Sequence, residues 1–253
     1  MLVLDRVLEI ADPATGQRWT LPHQAITAVD AEVSERWMVN LKVHPRRFRE
    51  LVPAPFLRPQ MVGGWVVAAL CAIRMRHVAP IWAPLALGPA CMNAALRVAC
   101  LDADGTPCVW VAERFTDSGL APALASLGFP AVTGGLHDRG VLGRLDLEAG
   151  GGLLDTRLVP GRGHRADLFP DATALGAFIA AGVRSYAPGL APGIYDVIDL
   201  EKRSDNAFSA VEDVEGWVRT PWGDLSVDGV YRTVEGLYRW TCHGRVDGAG
   251  HAV

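Results

Sequence analysis

Short apolar stretches alternate with breaks rich in glycine, aspartate and proline along almost the whole chain, and few of them carry helical spacing. Leu4 to Ile10 and Arg18 to Leu21 bracket Asp12-Pro13-Ala14-Thr15-Gly16. Proline fixes φ there and glycine relaxes it, so residues 2–21 predict a hairpin. Trp37 to Val43 predicts a strand. A short amphipathic helix should follow from His44 to Val52, with Pro45 at its start and Phe48, Leu51 and Val52 on one side. Val62 to Met75 is rich in β-branched residues and predicts a buried strand kinked at Gly63-Gly64. Leu96 to Leu101 and Cys108 to Phe115 flank Asp102-Ala103-Asp104-Gly105, a hairpin signal.

The second half continues in the same manner. Ser118 to Leu127 predicts a helix capped by Ser118 or Asp117, stopped at Gly128 and kept from resuming by Pro130. Val141 to Leu147 and Leu153 to Val159 form a hairpin around Gly150-Gly151-Gly152, and Asp171 caps a helix from Ala172 to Ala181. Tyr195 to Leu200, Trp217 to Thr220, Asp224 to Val227 and Val230 to Trp240 read as strands. The sum is an α+β chain that is mainly β: an antiparallel barrel or curled sheet with a few peripheral helices. One domain over residues 1–253 is the economical division, with 1–32 as an extension carrying the first hairpin and 246–253 as a disordered tail.

Composition narrows the function classes. Half of the 253 residues are hydrophobic and the formal charge is −4, so the chain lacks the basic field of a nucleic-acid binder. The longest apolar run, Met61 to Ile73, is too short to span a bilayer, and Asp5 interrupts the amino terminus, so a soluble cytoplasmic protein without a membrane partner is expected. Five cysteines with no Cys-x-x-Cys pair predict reduced, buried thiols. Seven histidines without metal-ligand spacing predict no metal, and the lack of a Gly-x-Gly-x-x-Gly or phosphate loop predicts no cofactor. Lys42 and Lys202 are the chain's two lysines, which limits imine chemistry to those positions.

Three stretches, His44 to Pro55, Val109 to Pro130 and Ile194 to Leu225, together resemble the acetoacetate decarboxylase superfamily. His44 to Pro55 matches its short helix and Val-Pro-x-Pro ending. Val109-Trp110-Val111, Thr116-Asp117-Ser118 and Gly128-Phe129-Pro130 match the segment that leads to its lysine pair, and Ile194 to Lys202 with Gly216 to Leu225 match its last strands. Spread over Val33 to Trp240, the resemblance implies a cone-like β-barrel around a small-molecule cavity, frequently in a homo-oligomer. In the family's decarboxylases two lysines follow the aromatic-proline pair, and the first forms a Schiff base. Here those places hold Ala131 and Val132, and the region of the family's catalytic glutamate, Ala79 to Pro89, has no carboxylate. The family's substrate-orienting arginine falls near Ser34 to Arg36, where Arg36 would fill the role after a small shift.

The residues themselves suggest where chemistry would sit. Arg184 would clamp a substrate carboxylate and Tyr186 would hold or protonate an enolate oxygen, or the two form a structural corner. Strict alternation puts Glu113 beside Val109, Val111 and Phe115, where burial would raise its pKa for acid–base work unless it pairs with an arginine at an edge. Arg74 and Arg76 share a face that suits either an anion site or a solvated outer wall, and Asn93 is expected to face the cavity. Phe129, Ala131 and Trp82 complete the expected pocket. The leading expectation is an enzyme of lyase or isomerase/cyclase type, in secondary metabolism, that dehydrates, enolises or cyclises a small carbonyl or carboxylate compound without a lysine imine. The alternative is a non-catalytic binding or scaffolding barrel, and a third option moves the imine to Lys202.

Overall fold

The long strands bury side chains on both faces, which is what a closed barrel covered on its outside requires. In the computed structural model, which describes residues 7–11, 18–22, 26–119, 135–164, 167–189, 191–204, 211–212, 214–223 and 225–253, sixteen strands carry the chain. The first half holds β1 (Val7–Ala11), β2 (Arg18–Pro22), β3 (Ala28–Val43), β4 (Arg58–Pro59), β5 (Met61–Val62), β6 (Trp65–Pro80), β7 (Cys91–Leu101) and β8 (Pro107–Thr116). The second holds β9 (Leu136–Asp138), β10 (Leu145–Ala149), β11 (Leu154–His164), β12 (Arg184–Pro188), β13 (Tyr195–Lys202), β14 (Val211–Glu212), β15 (Val214–Arg219) and β16 (Ser226–Val246). The helices are α1 (Phe48–Leu51) and α2 (Ala172–Ala181).

The barrel runs β7-β8-β12-β13-β16-β3-β6 and closes through the β6–β7 pairing. It is mixed rather than purely antiparallel, because β12 lies parallel to β8 with Ser185 opposite Val109. A parallel neighbour needs a long crossover, and β9, β10, β11 and α2 all lie in the stretch between β8 and β12. A four-stranded sheet, β15-β11-β10-β9, covers one side of the barrel. Leu145, Leu147, Leu154 and Leu158 from that sheet share one core with Trp37, Val39 and Leu41 of β3 and with Trp110 and Phe115 of β8. The inward faces form a second core, in which Met38, Cys71, Tyr231 and Tyr238 meet Leu175, Phe178 and Ile179 of α2.

Local chemistry explains the turns. Gly63 (φ 54°) and Gly64 (φ 84°) form a two-residue hairpin turn between β5 and β6, so the expected kink in one strand is a reversal between two. Asp102 Oδ1 accepts from the backbone N–H groups of Asp104 (3.0 Å) and Thr106 (2.9 Å), and Gly105 takes φ 84°. Asp171 Oδ1 caps α2 by accepting from Ala174 N at 2.8 Å. The helix after Pro45 begins as a 3-10 turn over Pro45–Arg47 and buries Phe48 and Leu51. The tail, expected to be disordered, folds back instead: Asp247 N–H donates to His251 O at 2.9 Å and Val253 N–H to Arg245 O at 3.1 Å. Most of the helix expected over Ser118 to Leu127 lies outside the described residues.

Candidate functional site

Inside the barrel is a chamber of about 160 Å³ to which all seven barrel strands contribute lining residues. Its wall is largely apolar, with Ile73, Met75, Val111, Ile198 and Trp240, and its polar groups are Cys71, Asn93, Arg97, Arg114 and Ser185. A second chamber of about 170 Å³ lies on the other side of Arg97 and Leu200, bounded by Arg36, Lys202, Tyr231, Thr233, Tyr238 and the end of α2. Arg97 therefore stands between two compartments of one cavity.

Three arginines point inward: Arg36 from β3, Arg97 from β7 and Arg114 from β8. Among the described residues no carboxylate forms an ion pair with any of them. Arg36 donates to Met38 Sδ at 3.6 Å and lies 5.9 Å from the Tyr238 ring centroid, while its Nε has no hydrogen-bond partner among the described residues. Arg97 reaches the same Met38 sulfur at 3.9 Å. Burial pulls the Arg114 guanidinium down to about 10, so it is still cationic at neutral pH, and Asp196 acts on it only from beyond ion-pair distance. Asp196 is itself committed to Arg245 at 3.1 Å. Burial opposes the charge on Arg36, but Cys71 and Tyr238 outweigh it and hold its pKa above the usual value. Arg36 is buried and Arg97 and Arg114 are half-buried, and cations drawn out of water without counter-charges are costly. A cavity that keeps three of them is suited to an anion.

The structure places several of the other residues singled out in the sequence away from this cavity. Ala112 is a bulge, since Leu96 pairs with Glu113 and Arg97 with Val111. The extra residue breaks the alternation, so Arg114 rather than Glu113 lines the chamber with Val111. Glu113 is exposed, although partial burial still raises its pKa. Arg184 forms a two-point bond to Asp199 at 3.0 Å and 3.0 Å on the outside, and that bond raises its pKa. Tyr186 packs in the outer core against Phe56, ring centroids 5.1 Å apart, and burial pushes its hydroxyl up. Trp82 is 71% exposed. Phe129 and Ala131 fall in residues 120–134, outside the described ones. Asn93 does line the chamber, with its Oδ1 unpartnered.

Arg74 belongs to a different cluster, on the outer wall. Its Nε and Nη2 donate to Asp138 at 2.7 Å and 3.0 Å, its Nη1 to Val141 O at 3.0 Å, and its Nη2 also to Arg144 O at 2.9 Å. It also donates to Glu35, which is fully buried and accepts from Arg232 at 3.0 Å and Gly143 N at 2.8 Å. This network ties the barrel to the four-stranded sheet. Arg76 likewise faces out, toward Glu32 at 3.0 Å and Glu235 at 3.2 Å.

Arg97 was readable in principle, four residues after Asn93 and on the same face of an apolar strand. Lys42 is held by Asp167 (2.9 Å) and Asp228 (3.4 Å), and the bond to Asp167 raises its pKa, which disfavours a nucleophilic amine there. Lys202 lines the second chamber.

A barrel of this kind, with its cavity and its covering sheet, is the acetoacetate decarboxylase-like fold. A structure of the enduracididine biosynthesis enzyme MppR complexed with pyruvate superposes with a TM-score of 0.54 at 18% identity, covering 88% of this chain and 91% of that one. Acetoacetate decarboxylase from Legionella pneumophila gives 0.55 at 11% identity over 87% and 88% of the two chains. An acetoacetate decarboxylase-like enzyme from Sphingomonas wittichii gives 0.54 at 16% over 88% and 94%. No protein-family model and no curated protein matches the chain. No described helix is long and apolar enough to cross a membrane.

Proposed function

We propose that this chain is a small-molecule enzyme that binds a carbonyl-bearing carboxylic acid in the barrel cavity and acts on it without a lysine imine at position 131. The observation that carries the reading is the trio Arg36, Arg97 and Arg114, directed inward with no ion-paired carboxylate among the described residues. A ligand carboxylate supplies the missing charge, and a guanidinium fork binds it by two parallel hydrogen bonds. The apolar wall of Ile73, Met75, Val111 and Trp240 suits the body of the ligand. Beside Arg36, the hydroxyls of Tyr231 and Tyr238 border the second chamber, where they would stabilise an enolate oxygen. Enolisation, dehydration and cyclisation all pass through such an anion. The structural neighbour holding pyruvate makes 2-oxo acids the first compounds to try.

Calorimetry with pyruvate and longer 2-oxo acids, set against their amides, tests the binding. The acids should bind and the amides should not, and Arg114→Gln should weaken the acids by about tenfold to a hundredfold, the effect of a charge-assisted bond. Equal binding of acids and amides would remove the reading. Exchange of pyruvate methyl protons in heavy water, followed by NMR, reads enolisation directly; binding without turnover of any 2-oxo acid would leave a ligand-binding barrel.

One observation favours a second reading: Lys202 lines the second chamber beside Arg36. It would permit an imine at a different place on the barrel wall. Borohydride reduction in the presence of pyruvate, followed by intact mass and peptide mapping, would show an adduct on Lys202 if that reading holds.

A further inference from the structure

We propose that Cys71 is the nucleophile of this cavity, a thiol flanked by Arg36 and Arg97 that adds to the carbonyl carbon of the bound acid. The inference rests on the anion-binding reading above and adds a covalent step to it.

Cys71 is the middle of β6, 2% exposed to bulk solvent, and its side chain lines the first chamber together with Arg97 and Arg114. Met38 of β3 lies directly opposite Cys71, and Arg36 from β3 and Arg97 from β7 both reach the Met38 sulfur, at 3.6 Å and 3.9 Å, so the two guanidiniums flank the Cys71 position. The remaining groups around it are Arg114 on β8 and, on Arg36's other side, the Tyr238 hydroxyl from β16; the elements contribute no carboxylate that pairs with Arg36 or Arg97. A second, independent feature marks the adjoining chamber, which shares Arg97 with the first, as a ligand site. Among the described residues, Thr233 Oγ1 borders that chamber without a hydrogen-bond partner, and so does the Nε of Arg36, whose Nη2 donates to Met38 Sδ; the two residues are only 6% and 8% exposed. Donors of that kind await an acceptor.

The other cysteines provide the contrast. Burial pushes the thiols of Cys91, Cys108 and Cys242 up to about 12, and Cys100 higher still. Burial opposes ionisation of Cys71 as well, but the two guanidiniums outweigh it and bring the thiol below its ordinary value. A thiolate is the reactive form of cysteine, and adjacent cations are the usual means of populating it. In the step proposed, sulfur forms a bond to the carbonyl carbon and the C=O π pair moves to oxygen. That oxygen then takes up one proton, equal to the one the thiol released on ionising. The product is a thiohemiketal of the 2-oxo acid, and reversal restores both partners, so no oxidant or reductant is consumed.

Charge-selective alkylation of the full chain tests this. Native protein is treated with iodoacetate or iodoacetamide across a pH series, and the labelled site is mapped by mass spectrometry. We expect labelling at Cys71 alone, with iodoacetate about tenfold faster than iodoacetamide, the reverse of a free thiol, because the guanidiniums bind the reagent's carboxylate. The midpoint of the rate should lie below that of a free thiol, since the folded-state thiol ionises at lower pH. Arg97→Gln should raise that midpoint and cancel the preference for iodoacetate. Thiolate ultraviolet absorbance, as the difference between wild type and Cys71→Ser, gives the same midpoint without requiring reagent access. An ordinary or raised midpoint, faster reaction with iodoacetamide, or labelling only after unfolding would overturn the proposal. Cys71→Ser keeps the calorimetric response to 2-oxo acids if the anion site alone is right. Loss of that response in wild type would remove the anion reading, whatever the thiol does.

Discussion

Glu35 and Arg36 are neighbours on β3, point to opposite faces of the barrel wall, and meet arginines under opposite conditions. Outside, Glu35 is fully buried and shared by Arg74 and Arg232, with Asp138 and two backbone carbonyls taking up the rest of Arg74. Inside, Arg36 and Arg97 reach the sulfur of Met38, Arg36 lies over the Tyr238 ring, and Arg114 lines the chamber with no ion-paired carboxylate among the described residues. The same side chain is a structural tie in one place and an unspent binding group in the other. The difference is whether its counter-charge belongs to the chain. A completed network argues for stability, and an incomplete one argues for a ligand.

The largest way to break this comparison is to remove the shared acid. Glu35→Gln should destabilise the protein by about 3–5 kcal/mol, because it removes the fully buried carboxylate charge that Arg74 and Arg232 share. Urea unfolding reads that loss, and a change under 1 kcal/mol would mean that the outer cluster does not hold the sheet to the barrel. Removing a cavity arginine should act with the opposite sign. Arg114→Met should raise stability by about 1–3 kcal/mol in the absence of ligand, since an unpaired inward charge is relieved, while binding of 2-oxo acids falls. Destabilisation by that variant would show that Arg114 serves the fold. The smallest effect belongs to the solvent-facing pair. Arg184→Ala should cost less than about 1 kcal/mol and leave ligand binding unchanged, because Arg184 and Asp199 lie outside the cavity and are screened by water.

Much of the architecture was legible because local chemistry decides it. The Asp102 to Gly105 turn, the Asp171 cap and the buried Phe48 and Leu51 after Pro45 each follow from a few adjacent residues. The side chains that meet in the cavity were less legible, because their direction depends on register across strands. One bulge at Ala112 sends Arg114 inward and leaves Glu113 outside, and no count along β8 alone reveals it. Arg74 presented the opposite difficulty. Alternation puts it on one face with Arg76 without saying which face is the outer one, and its partner Asp138 is 64 residues away, so the sequence showed an arginine without showing its commitment. Tyr186 looked chemical beside Arg184, and the two do share a face of β12, as residues two apart should, but it is the outer face, where Phe56 packs on the Tyr186 ring and Asp199 holds Arg184.

The parallel pairing of β12 with β8 has a consequence for how the protein assembles. Every other closure in the barrel joins antiparallel neighbours, but this one waits for β9, β10, β11 and α2 to be threaded across before β12 can arrive. Until then β8 presents an open edge, with unsatisfied amides and the apolar interior beside it. Long-range closure of this sort is slow because chain entropy is lost before the contacts repay it. Refolding from denaturant should therefore be slow and sensitive to protein concentration, with self-association at the β8 edge as the competing fate.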